Sequence, residues 1–143
     1  TASAVCSEVG IGPKMVDEVI VVFKSYVTRV GGGPLPGELS NEEAEKLGLV
    51  EVATVTGRRR RAAPFNYELA KRAVKANSAT QLALTRIDTL FPAASRVRRY
   101  DDLPREAKDF IDGIEDRLKV PVTIISTGPD VHDTVDLRGA KGL

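Results

Sequence analysis

The chain is 143 residues long with 42% hydrophobic residues, enough for about one domain with a sizeable core. Its 21 basic and 20 acidic residues nearly cancel, which excludes a global field that recruits nucleic acid or anionic lipid and leaves any basic function local. A single cysteine, Cys6, excludes an intrachain disulfide and has no spaced Cys/His partners for zinc; with no signal-like or membrane-length apolar run, the sequence reads as cytoplasmic with no membrane partner.

The opening Thr1-Ala2-Ser3-Ala4-Val5-Cys6 is small in side chain, lacks an initiator Met or a helix cap, and reads as a cut end. Gly10, Gly12 and Pro13 then introduce a segment in which Val16, Val19, Ile20 and Phe23 share a helical face, with Asp17 and Glu18 near its positive end. This predicts a helix from about Pro13 to Lys24. Tyr26 to Val30 reads as a β-branched strand closed by Gly31-Gly32-Gly33-Pro34, either a plain turn or a place for backbone amides to meet a ligand. Ser40 and Glu43 form a capping-box pattern for a short helix through Leu47, which Gly48 ends. Leu49 to Val55 is expected to be a strand that delivers Thr56-Gly57-Arg58-Arg59-Arg60-Arg61 at its end.

Asn66 can cap a helix whose buried stripe is Leu69, Ala70, Ala73 and Val74, with Lys71, Arg72 and Lys75 toward its negative end. Gln81 to Thr85 is the next strand. Pro104 opens the most regular helix, in which Ala107, Phe110, Ile111, Ile114 and Leu118 follow the 3.6-residue repeat. Val120 to Ile125 is a buried strand, and Ser126-Thr127-Gly128-Pro129 is the loop at its carboxyl end. Helices alternating with apolar strands predict an α/β architecture with a largely parallel sheet and crossover helices. Ligands of such sheets gather outside the carboxyl ends of the strands, so Arg58 to Arg61, Arg86 to Asp88 and Ser126 to Gly128 are expected on one rim.

The chemistry of these loops is specific in kind. Four adjacent guanidiniums repel one another and need anions to face, and Arg clamps carboxylate or phosphate through a planar two-pronged donor set. Gly57 lets the backbone turn tightly before them. Taken alone, the run also fits a solvated basic loop or a nucleic-acid patch. Asp88 can accept two hydrogen bonds from adjacent N–H donors, which guanine offers at N1 and N2 and adenine does not; equally, it can cap a turn before Thr89. His132, beside Asp130 and Asp133 in a polar loop, is assigned no catalytic role.

Four blocks, Tyr26 to Pro34, Thr56 to Arg61, Leu84 to Asp88 and Ile124 to Pro129, resemble in order those of adenylosuccinate synthase, and the similarity runs from the Gly10-Ile11-Gly12-Pro13 region to about Arg138. The resemblance implies the carboxyl-terminal part of a P-loop-NTPase-like fold with a mostly parallel central sheet. It further implies a GTP-dependent ligase joining IMP and L-aspartate in AMP synthesis and purine salvage, a homodimer when full length. By resemblance, Thr54, Val55, Thr56, Gly57, Arg58, Arg59 and Arg60 form the aspartate loop; Thr56 and Arg58 meet the aspartate carboxylates, and Val55 stands where Thr is frequent. Arg58 also touches the IMP ribose, Arg60 reaches toward the GTP phosphates, and Val30 and Gly31 lie against IMP. Arg86, Ile87 and Asp88 match a Thr-Lys-Leu-Asp block that holds the guanine of GTP, and Ser126, Thr127 and Gly128 complete that pocket. The sequence has no Gly-x-x-x-x-Gly-Lys or Gly-Asp-Glu-Gly-Lys-Gly run and no counterpart of the family's catalytic Asp and His. Residues 1–143 are therefore expected to be one carboxyl-terminal segment, inactive alone, with no metal ligands of its own and the Mg²⁺ ligands in an amino-terminal catalytic part. The alternative is a stand-alone, non-catalytic nucleotide- or RNA-binding module that uses the Arg58–Arg61 loop.

Overall fold

The computed structural model describes residues 1–142. Two parallel strands form its centre: β4 (Gln81–Thr85) and β5 (Val122–Ser126), each rich in apolar residues because both faces are covered. β1 (Ile20–Lys24) pairs parallel to β4 from Ile20 opposite Gln81 to Lys24 opposite Thr85, and β6 (Thr134–Asp136) closes the other edge antiparallel to β5, giving the order β1-β4-β5-β6. The crossover into β4 runs through α3 (Tyr67–Asn77), and that into β5 through the short α4 (Ile87–Leu90) and the long α5 (Arg105–Leu118). This is the expected α/β architecture with a mostly parallel sheet.

The periodic face of α5 is the largest contribution to the core: Ala107, Ile111 and Ile114 are fully buried with Leu82, Leu84, Ile87, Val122 and Ile125. Burying each Leu or Ile is worth roughly 1.5–3 kcal/mol. Phe65 joins sheet to helices by edge-to-face contacts with Phe23, Tyr67 and Phe110 at 5.7, 5.1 and 6.0 Å. The Asn66 side chain accepts the Leu69 amide at 3.0 Å and starts α3 as its sequence suggests. The Ser40/Glu43 capping box is complete at the start of α2 (Asn41–Lys46).

Four expectations are corrected. The segment Pro13 to Lys24 is not a helix: Pro13–Met15 makes one 3-10 turn, and Ile20-Val21-Val22-Phe23-Lys24 is strand β1. A β-branched run loses side-chain freedom in a helix, and here it gains a full ladder beside β4. The opening is a helix, α1 (Ala2–Val9), whose cap is Thr1: its hydroxyl accepts the Ala4 amide at 3.3 Å. Leu49 to Val55 is a loop with one isolated antiparallel bridge, Val52 to Arg59, because its hydrogen bonds go to the short return stretch at Arg58 and Arg60 and not to a neighbouring strand of the sheet. The arginines therefore do not end a strand of the main sheet. They lead into β3 (Arg61–Pro64), which pairs antiparallel with β2 (Tyr26–Arg29) in a separate two-stranded ribbon.

Ser25 is the elbow between sheet and ribbon. It is fully buried, its amide donates to the Thr85 carbonyl at 2.9 Å, and its hydroxyl donates to the Arg86 carbonyl at 2.8 Å. The ribbon is thereby fixed against the end of β4.

Candidate functional site

A cleft of about 760 Å³ opens where β1, β4 and β5 end. Lys24 and Tyr26 come from the elbow, Arg86, Asp88 and Thr89 from the turn after β4, and Ser126, Gly128 and Pro129 from the loop after β5; Glu51, Thr54 and Arg60 come from the arginine loop opposite. Three separated turns thus share one cleft.

The turn after β4 is tight. Arg86 sits at φ 64, in the left-handed region, and this sharp exit sets α4 immediately behind the strand, with Asp88 in its first turn. Ile87 points away from the cleft into the core, fully buried, so its place in the guanine block is packing rather than contact. The loop after β5 is held from beneath. Thr127 is buried, donates its hydroxyl to the Val97 carbonyl at 2.7 Å, and is not free for a ligand. The expected pair of hydroxyls is thus reduced to Ser126, which donates to the Gly128 carbonyl at 3.1 Å. Gly128 is required by proximity: a Cβ there would run into the Asp133 side chain. His132 is exposed, and its amide donates to Asp130 Oδ1 at 2.8 Å.

The four arginines divide. Arg60 lines the cleft and faces Glu51 at 3.6 Å. Arg59 turns to α2, donating to Glu45 at 2.7 Å and to the Asn41 carbonyl at 3.1 Å. Arg61 pairs with Glu38 and donates to the carbonyls of Gly31 and Gly33 at 3.0 and 2.8 Å. Val55, Thr56, Gly57 and Arg58 form an exposed tip, with Val55 at 97% exposure. The stem beneath is ordered by Gly57 donating to the Ala53 carbonyl at 2.8 Å and Arg60 to the Glu51 carbonyl at 2.8 Å. Val30 and Gly31 are exposed and do not reach the cleft wall; the Gly31 carbonyl is taken by Arg61.

Sequence reasoning missed the middle of the wall: Lys24, Tyr26 and Glu51. Tyr26 donates its hydroxyl to Glu51 at 2.5 Å, and Lys24 donates to both carboxylate oxygens at 3.0 and 3.1 Å. Burial works to raise the Glu51 carboxyl, but the hydrogen bonds from Tyr26 and Lys24 outweigh it and hold the group below its ordinary value. Burial and the adjacent carboxylate push the Tyr26 hydroxyl up to about 12, so it remains a donor. Burial also lowers the Lys24 ammonium against the pull of Glu51. The available signal was a lone Glu inside the apolar run Leu49-Val50-Glu51-Val52, a residue type almost never sheltered without partners.

A polar cleft at the carboxyl ends of parallel strands, with a cationic loop facing a carboxylate, defines this as an α/β domain with a ligand cleft at its strand ends. Comparison with known proteins narrows the class. Residues 1–95 and 92–135 match the family described as adenylosuccinate synthetase. The chain is 56% identical over 140 residues to the adenylosuccinate synthetase of Methanosphaera stadtmanae, covering 98% of this chain and 41% of that protein. It is 57% identical over 138 residues to that of Methanocaldococcus jannaschii, covering 96% and 40%. Among solved structures, fully ligated adenylosuccinate synthetase from Plasmodium falciparum superposes with a TM-score of 0.85 at 26% identity, over 95% of this chain and 43% of that one. The succinoaminodeoxyadenylate synthetase of cyanophage S-2L, bound to dGMP and dATP, shares the fold at TM-score 0.69 and 23% identity, over 95% and 38%. The chain belongs to the adenylosuccinate synthetase family, and spans about 40% of the length of the curated relatives it matches. Among the described residues no helix is long and apolar enough to cross a membrane.

Proposed function

We propose that this chain carries the guanine-nucleotide and L-aspartate subsites of a GTP-dependent ligase that joins IMP and L-aspartate into adenylosuccinate. The enzyme belongs to AMP synthesis and purine salvage in the cytoplasm, and works as a homodimer at full length. The observation that carries this reading is that Asp88, Ser126 and Arg60, from three separate turns, line one cleft.

Asp88 accepts the N1 and N2 hydrogens of guanine, and adenine in the same place would turn a lone pair toward the carboxylate. The Arg86 guanidinium lies against the base, and Ser126 and Gly128 border it. Arg60 meets the phosphates. The tip, with Thr56 and Arg58, closes over the aspartate carboxylates and the IMP ribose, supported by Thr54, Val55, Gly57 and Arg59; Val30 and Gly31 take the far side of IMP. In the reaction GTP phosphorylates O6 of IMP, and the aspartate amine then displaces that phosphate. The residues of this chain bind and orient, and residues 1–143 form a single recognition segment for that chemistry. Among the described residues no three His, Cys, Asp or Glu side chains gather to hold an ion, and no step here is assigned to the Mg²⁺ that the family implies.

Calorimetric titration with GDP and ADP tests this. GDP is expected to bind at least about tenfold tighter, a difference of about 1.4 kcal/mol, with the preference retained as salt is raised. Asp88→Asn should erase most of it. Equal affinities that both fall steeply with salt would instead identify a nonspecific phosphate-binding module.

A further inference from the structure

Glu51 lies sheltered in the cleft wall, its side chain 14% exposed. Its carboxylate accepts one hydrogen bond from Tyr26 and two from Lys24, so both oxygens have a donor. Lys24 is itself fixed, donating to Thr28 at 2.5 Å and standing 4.5 Å over the Tyr26 ring. Through the main chain, the Glu51 carbonyl accepts the Arg60 amide and closes the stem of the arginine loop. Arg60 is treated differently from Lys24. One guanidinium nitrogen approaches the carboxylate at 3.6 Å, beyond hydrogen-bond distance, and Nε is buried without a partner. A guanidinium carries five N–H donors in a rigid fork, and an unpaired buried donor costs free energy until something accepts it. Glu51 thus attracts Arg60 without capturing it.

We propose that Glu51 is a positioning residue: anchored by Lys24 and Tyr26, it fixes the stem of the arginine loop and keeps the Arg60 fork aimed and open for a phosphate of the bound nucleotide. The identity of that ligand rests on the guanine-nucleotide reading above; the positioning does not. Its physical content is a division of labour in which Lys24 and Tyr26 satisfy the protein's own anion so that Arg60 need not.

Amide hydrogen exchange and ligand titration on the purified protein test the two parts separately. In Glu51→Gln the amides of Ala53, Gly57 and Arg60 are expected to exchange about tenfold faster, matching the loss of about one charge-assisted hydrogen bond, while those of Leu82 and Leu84 are unchanged. The preference for GDP over guanosine should fall by about tenfold with guanosine affinity unaltered, and Glu51→Asp should recover part of both. Unchanged loop exchange in Glu51→Gln, or a preserved GDP-to-guanosine ratio, overturns the proposal. Should the wild-type protein fail to distinguish guanosine from adenosine, the base assignment falls, and the exchange result still decides the role of Glu51. If Glu51→Gln does not fold, Tyr26→Phe removes one donor to the same carboxylate and gives the same readouts at smaller size.

Discussion

Arg86 is a long, charged side chain on a left-handed backbone, φ 64, where an L residue costs roughly 1–2 kcal/mol over its ordinary conformation. The surroundings enforce it: the Ser25 hydroxyl holds the Arg86 carbonyl, and Ile87 is locked into the core immediately afterward. Gly would relieve the strain while adding freedom to the unfolded chain, two effects of similar size and opposite sign. Arg86→Gly is therefore expected to change the urea-unfolding free energy by less than about 1 kcal/mol, yet to weaken GDP binding about tenfold. Such a split marks a residue kept for its side chain at the expense of its backbone; a fall in stability and affinity together would assign Arg86 to the fold instead.

Among the elements, α5 carries the most packing and invites the clearest contrast. Ile114 is fully buried between helix and sheet, whereas Leu69, expected in the buried stripe of α3, is 53% exposed, a correction to that expectation. Ile114→Ala should cost about 2–5 kcal/mol in urea unfolding, and Leu69→Ala below about 1. The helices were legible because their signals are local: Asn66, the Ser40/Glu43 box and the Ala107-to-Leu118 stripe each speak within a few residues. The segment Pro13 to Lys24 was misread because Val16, Val19, Ile20 and Phe23 satisfy a helical spacing by coincidence, and only the ladder offered by β4, some sixty positions later in the chain, makes Ile20 to Lys24 a strand. β3 and β6 are four and three residues long, too short for a periodic pattern to mark them, so their existence depends on partners. In the cleft, the alternation of helices and strands put Asp88, Ser126 and Arg60 at strand ends on one rim, while their assignment to a ligand came from the four-block resemblance. Glu51 showed only as a lone carboxylate in an apolar run, and its role comes from Lys24 and Tyr26 arriving from a distant strand end.

For the whole molecule, a net charge of +1 leaves little self-repulsion near neutrality, so its acid response is set by individual carboxylates. Glu38, Glu43 and Asp136 are all held below their ordinary values, Asp136 at about 2 through the side chain and backbone of Arg138, but they are well exposed and solvent screens what they contribute. Of the carboxylates held low, Glu51 is the sheltered one, its side chain 14% exposed. A carboxyl held lower in the folded state than in the unfolded one adds stability that is fully present above the unfolded value and is lost as pH falls through the folded one. Unfolding free energy is expected to be flat from neutrality down toward the ordinary 4.5 of this glutamate and to decline below it. Glu51→Gln should start lower at neutral pH and decline less; parallel wild-type and variant curves would show that the acid limb arises elsewhere.

The elbow at Ser25 has a mechanical implication. One small residue is stitched to the end of β4 by both its main chain and its hydroxyl, while the peptide on either side runs directly into Lys24 and Tyr26. The wall carrying Arg86 and Asp88 and the wall carrying Lys24, Tyr26 and Glu51 are in this way riveted at a common pivot. The spacing of these two walls at the floor of the cleft is consequently a property of the scaffold, inherited from the end of β4.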